Sequence, residues 1–125
     1  MKSRTFSIVS VIGMFVLLVA FAGTMIYVDP LFHFHAPKEN MGYLLFDERY
    51  QNNGITRNFD YNTIITGTSM TENFKTSQVD ELFGVKSIKV PVSGARYKEV
   101  DEIVKKAYSY KGNIANVIRC LDLTT

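Results

Sequence analysis

Residues 61–75 read YNTIITGTSMTENFK. Tyr61 to Thr66 has the β-branched and aromatic composition of a strand, Gly67 punctuates it, and a serine follows two positions later. Ser69 has two readings. On a sharp strand-to-helix turn its hydroxyl would be presented as a nucleophile. Ser69-Met70-Thr71-Glu72 also has the form of a capping box, in which the serine satisfies an orphan helix amide and the glutamate reaches back. Gly-Thr-Ser after a strand is, besides, a common turn composition.

Toward the C-terminus, short apolar runs alternate with amphipathic ones, the pattern of βαβ units and a parallel sheet. The first strand is expected at Tyr61–Thr66. A helix is expected near Gln78–Phe83, announced by Thr76 and Ser77 and ended by Gly84. A second strand covers Ser87–Val92. A helix from Arg96 to Tyr110 follows, with Tyr97, Val100, Ile103, Val104, Ala107 and Tyr108 on one stripe. After Gly112 a third strand runs from Ala115 to Leu123. Three parallel strands with two crossover helices leave an edge unpaired and a face partly covered. About 65 residues of α/β structure bury little surface, so a C-terminal truncation or a missing partner is expected.

In parallel sheets the loops beyond the strands' carboxyl ends converge on one crevice. Here they are GTSMTEN, SGAR and DLTT, beginning at positions 67, 93 and 122. A serine hydroxyl is a poor nucleophile at neutral pH and needs a base in reach and donors for the oxyanion. Gly67 permits a sharp exit that exposes Ser69. The backbone amides of Ser69 and Gly94, with the side-chain amide of Asn73, are the candidate oxyanion or substrate contacts.

Toward the N-terminus, residues 29–60 look irregular: Pro30, Pro37, Gly42 and the QNNG turn signal at 51–54 interrupt any long period. They read as a juxtamembrane connector with a short helix around Tyr43–Tyr50. Before it, Phe6–Val28 carries no charge and is long enough to cross a hydrocarbon core about 30 Å thick. Lys2 and Arg4 precede this run, so the positive-inside bias places the N-terminus in the cytoplasm and the rest outside, as a single-pass membrane protein. Ala20-Phe21-Ala22 has the form of a signal-peptidase site, the alternative to a retained anchor, but the apolar run continues through Val28. The expected organisation is 1–28 cytoplasmic tip and anchor, 29–60 connector, and 61–125 an α/β domain.

Apart from Lys2 and Arg4, the 14 basic and 12 acidic residues balance, so no basic patch remains to track nucleic-acid phosphates. The single cysteine, Cys120, cannot form an internal disulfide and reads as a buried, inert thiol. His33 and His35 share one face of an extended segment, but two ligands are too few for a closed zinc site, and an interfacial role beside Tyr27, Phe32 and Phe34 is the preferred reading. Neither a metal nor a cofactor is expected. GTSMTENF lacks both the lysine of a Walker loop and the spacing of a dinucleotide fingerprint.

The segment TIITGTSMTENF, a second strand ending VPVSGA, an amphipathic helix and NVIRCLDL together resemble the SGNH/GDSL-type hydrolase superfamily. The resemblance is narrower with its membrane-anchored cell-envelope members, related to the D-alanyl-lipoteichoic acid and alginate acetylation proteins. It covers residues 29–125 and implies an incomplete flavodoxin-like, three-layer sandwich with a parallel sheet. It also implies an esterase or acyltransferase acting on acylated cell-envelope glycan, with Ser69 as nucleophile and Gly94 as oxyanion donor. Three departures stand out. Thr68 replaces the acid of Gly-Asp-Ser; Cys120-Leu121-Asp122 lacks the third block's asparagine; and nothing corresponds to the family's downstream Asp-x-x-His. Without that base the 125 residues are expected to be nearly inactive. The alternative is a non-catalytic, membrane-tethered protein whose sheet edge docks on an envelope partner.

Overall fold

The computed structural model describes residues 3–38 and 44–121. Lys2, Tyr43, the expected strand end at Leu123 and the loop Asp122–Thr125 lie outside the described residues. The chain divides into two units, between Pro30 and Leu31.

The first unit is a single helix, α1 (Ser3–Val28), long and apolar enough to cross a membrane. Its 26 residues span roughly 39 Å at about 1.5 Å each, more than a hydrocarbon core requires. Two of its hydroxyls bond back to the helix: Ser7 Oγ donates to the Ser3 carbonyl at 3.1 Å and Thr24 Oγ1 to the Ala20 carbonyl at 2.9 Å. This back-bonding spares a hydroxyl from facing lipid alone.

The second unit contains α2 (Glu48–Asn58), β1 (Thr63–Gly67), a 3₁₀ turn (Ser69–Asn73), α3 (Thr76–Phe83), β2 (Ser87–Pro91), α4 (Tyr97–Lys111) and β3 (Asn116–Arg119). The strands form one parallel sheet in the order β2-β1-β3. Thr63 to Gly67 are all buried, as a central strand requires, and pair with Ser87 to Pro91 on one side. On the other side Thr63 to Thr66 pair with Asn116 to Arg119.

Period-two alternation sorts the sheet's faces. Ile64, Ile88 and Val90 point to one face, where Ile55 of α2, Ala107 of α4, Phe32 and Tyr61 complete a core cluster. Thr63 and Ile118 point to the other, where with Val79, Phe83 and Val85 they line an apolar cavity of about 110 Å³ beside α3. α3 and α4 end on Gly84 and Gly112, both left-handed (φ 63° and 64°), as helix-stop glycines do.

The structure departs from the sequence expectation most in the connector. QNNG is not a turn but the middle of α2, whose buried side is largely polar: Gln51, Asn52, Gly54, Ile55 and Thr56. Gln51 explains how it begins. Its Oε1 accepts the Phe46 and Asp47 amides at 2.9 and 3.1 Å, and its Nε2 donates to the Leu44 carbonyl at 2.9 Å, so one buried amide satisfies the helix entry. Gly54 is required by packing, because a Cβ there would strike the carbonyl oxygens of Leu31 and Phe32. Tyr61 packs beneath, donating to the Thr56 carbonyl at 2.8 Å, and burial pushes its phenol up to about 12.

The sheet's two edges are finished differently. On β2 the outward groups belong to Ser87, Lys89 and Pro91. The Ser87 amide donates to Asp80 Oδ1 at 2.7 Å, Pro91 has no N–H, and its carbonyl accepts Asn52 Nδ2 at 2.6 Å. Lys89 Nζ reaches the Glu72 and Phe74 carbonyls at 2.6 and 3.1 Å, drawing the loop after the 3₁₀ turn alongside. On β3 the Asn116 and Cys120 amides donate inward to the Asn62 and Thr66 carbonyls. By alternation the backbone groups of Val117 and Arg119 point outward, and among the described residues they meet no partner.

Candidate functional site

Parallel pairing brings the three strand exits to one edge of the sheet. Two backbone bonds hold the exits together beyond the strands: Val92 N to the Gly67 carbonyl at 3.0 Å, and Cys120 N to the Thr66 carbonyl at 2.9 Å. Gly67 sits at φ 155°, a conformation that favours glycine, and a Cβ on it would strike Thr71 Oγ1 and lie 2.8 Å from the Cys120 Cβ. The chain therefore leaves β1 by a route that only glycine takes comfortably, and Thr71 folds back over the exit. Thr71 Oγ1 is buried without a hydrogen-bond partner.

Ser69 opens the 3₁₀ turn just beyond. It is exposed, and among the described residues its hydroxyl makes no hydrogen bond. The capping box does not form. Thr68 precedes the turn in extended conformation, the Thr71 amide bonds the Thr68 carbonyl at 3.0 Å, and the Phe74 amide bonds the Thr71 carbonyl at 3.2 Å. A turn this short closes on its own backbone, with no side-chain hydrogen bond capping it.

Gly94 lies beyond β2 in the loop Val92–Arg96, exposed and left-handed at φ 66°, with open space where a Cβ would be. Its neighbours are firmly held: the Ala95 amide bonds the Val92 carbonyl at 3.1 Å, and Ala95 and Val92 are buried with Val100. Asn73 ends the 3₁₀ turn, with Nδ2 at 3.5 Å from the Met70 carbonyl. It lines a groove of about 530 Å³ along the outer side of β2, with Ile55, Phe59 and Ile88 among its apolar residues and Glu72, Lys75 and Lys89 among its charged ones. Ser69 and Gly94 thus share the carboxyl edge of the sheet, while Asn73 faces its flank. No hydrogen bond joins the three residues.

Cys120 is half-buried against Gly67 rather than fully enclosed, because β3 has no outer neighbour among the described residues. Arg119 folds toward α4, donating to the Tyr97 carbonyl at 3.1 Å with its guanidinium 4.2 Å from the Tyr97 ring centre. His35 Nδ1 donates to the Ala36 carbonyl at 2.8 Å. Among the described residues no three His, Cys, Asp or Glu side chains gather as metal ligands.

α2 supplies polar contacts that the sequence reading did not anticipate. Glu48 Oε2 accepts the Ser93 amide at 2.5 Å, and Arg49 pairs with Glu99 of α4 at 2.8 Å. The Glu48 carboxyl is raised above the usual glutamate range, chiefly by burial and further by Glu72, against the lowering effect of the Ser93 amide. The spacing of Glu48, Asn52 and Thr56, four residues apart, was the available signal, since it places polar side chains on one helical face.

No family model, no curated protein and no solved structure matches the chain.

Proposed function

We propose that this chain is the membrane-anchored N-terminal part of an extracytoplasmic SGNH-like serine esterase or acyltransferase acting on acyl esters of cell-envelope polysaccharide. The observation that carries the reading is the position of Ser69. Its hydroxyl is exposed and, among the described residues, makes no hydrogen bond at the carboxyl edge of the central parallel strand, with Gly94 beyond the adjacent strand. The strand order β2-β1-β3 supports it, since it agrees with the start of a flavodoxin-like sheet.

In this reading α1 anchors the protein in the bilayer with Arg4 on the cytoplasmic side. Ser69 Oγ attacks the acyl carbonyl and gives up its proton to a base supplied from outside these residues. The backbone amides of Ser69 and Gly94 hold the oxyanion, and Asn73 contacts substrate in the groove beside β2. Alcohol leaves, and water or an acceptor hydroxyl then takes the acyl group.

The test uses p-nitrophenyl acetate. The full 125-residue chain in detergent should hydrolyse it no faster than Ser69→Ala. A longer reading frame carrying Asp-x-x-His should hydrolyse it with a loss on the order of 10⁴-fold or more on Ser69→Ala. A longer frame that lacks the motif, or turnover indifferent to Ser69, rejects the enzyme. The outer edge of β3, which no described strand covers, favours the second reading, a tethered non-catalytic protein that docks on an envelope partner.

A further inference from the structure

The entrance to α2 presents large apolar side chains to solvent. Leu45 turns inward to the core cluster, while its neighbours Leu44 and Phe46 stay outside, 80 % and 66 % exposed. Tyr50, on the first turn of α2, is 64 % exposed. Gln51 fixes this corner, because its side chain bonds the Leu44 carbonyl and the Phe46 amide. The segment that opens the second unit crosses α2 one turn further on. Gly54 packs on the Leu31 and Phe32 carbonyls, and Asn58 Nδ2 donates to the Phe32 carbonyl at 2.5 Å. Phe34, two residues later, is 65 % exposed. Tyr50 and Arg57 flank Gly54 on the helix surface, four positions before it and three after. Arg57 is exposed and, among the described residues, meets no partner.

We propose that this corner, Phe34, Leu44, Phe46 and Tyr50 with Arg57 at the rim, is an interfacial docking surface that lies on the phospholipid bilayer crossed by α1. The proposal rests on the anchoring of α1 in the reading above and not on the esterase.

The bilayer is the occupant because the chain itself leads to it. Phe32, seated on α2, stands four residues beyond Val28, the end of α1, a reach of at most about 14 Å even when fully extended. The α2 surface is therefore held close to lipid. Single apolar side chains on a surface need no explanation, but four at one corner do. Leucine and phenylalanine gain by leaving water for the acyl boundary, about 5–10 Å deep, and tyrosine sits at headgroup level with its hydroxyl wet. The Arg57 guanidinium matches headgroup phosphate. The acidic groups of the corner do not oppose this. Asp47 and Glu48 are half-buried, and Glu48 is turned to the Ser93 amide at 2.5 Å. That bond also sets the loop of Gly94 beside the docked corner. Leu82 and Phe83, at the end of α3, are as exposed but have no such tether, which makes them the internal control.

The test places the full, ¹⁵N-labelled chain in phosphatidylcholine nanodiscs, with and without phosphatidylcholine spin-labelled near its glycerol, and reads the loss of amide signal. The amides of Leu44, Phe46 and Tyr50 should lose on the order of twofold more signal than those of Leu82 and Phe83. The double variant Leu44→Ser, Phe46→Ser should reduce that loss to the Leu82 level while the α1 amides stay attenuated. Equal loss at the two places in the native chain, or a loss unmoved by the double variant, overturns the docking. Both substituted side chains are exposed, so packing is not disturbed, and the native comparison decides the matter should the variant fail to fold. Attenuated α1 amides beside silent Leu44 and Phe46 overturn the docking alone. Silent α1 amides overturn the anchor and the docking with it, and neither result bears on turnover by Ser69.

Discussion

Ile64, in the middle of β1, has a partner in register on each side: Ile88 of β2 and Val117 of β3. All three point to the same face of the sheet, yet Ile88 is 5 % exposed and Val117 is 38 % exposed. The difference does not come from the strands, whose pairing to β1 is parallel on both sides. It comes from α2, which packs on β2 and α4 and roofs that flank, whereas no described element lies beyond β3. A segment that looks like a linker thus decides which half of the sheet is enclosed.

The sharpest way to break this asymmetry is to lift α2. Gly54→Ala gains about 1 kcal/mol of helix propensity but forces a methyl into the carbonyls of Leu31 and Phe32, where overpacking costs about 1–3 kcal/mol or more. Backbone cannot swing aside as a side-chain tip can, so steric cost should win. Urea unfolding of the full chain should show a loss of about 2 kcal/mol or more, and unchanged or increased stability would show that α2 is not seated on that backbone. Next in size is the matched pair across Ile64. Ile88→Ala should cost about 2–5 kcal/mol and Val117→Ala well under 1 kcal/mol, because a half-exposed side chain leaves no cavity. Equal losses would mean that something covers β3 in solution. The smallest effect is expected from Arg119→Ala, which removes the hydrogen bond and ring contact to Tyr97 at the open flank; about 0.5–1 kcal/mol is expected.

The same contrast marks what was legible in the sequence. The strands at 63–67 and 87–91 and the helix at 97–111 fall within one or two residues of their expected bounds, because β-branched runs, helical stripes and stop glycines are local signals. α3 begins at Thr76 rather than Gln78 because the Lys75 carbonyl already accepts the Gln78 and Val79 amides. On α4, Val100 and Ala107 are buried as the stripe predicts, but Tyr97 and Tyr108 remain exposed at its margin.

α2 was not legible as more than a short helix near Tyr43–Tyr50. Its inner face is built from Gln51, Asn52 and Thr56, whose burial is tolerable only once Leu44, Phe46, Pro91 and Tyr61 are in place to bond or border them. A scan for apolar period passes over such a helix. Of the candidate site, the exit at Gly67 and the exposure of Ser69 were legible, since punctuation after a strand is local. The Glu48 contacts were not, because Ser93 lies 45 residues away along the chain.

The unequal edges also set a limit on assembly. Along β2 the Ser87 amide is taken by Asp80 and Pro91 has no N–H, so a strand arriving there meets an interrupted ladder, while among the described residues Val117 and Arg119 offer an unbroken one. Among the described residues β3 is therefore the more open edge for an added strand. Two copies meeting β3 to β3 about a twofold axis would pair their open ladder positions and turn β2, interrupted at Ser87 and Pro91, outward. Among the described residues, strand addition at β3 would thus favour a closed pair over a fibre.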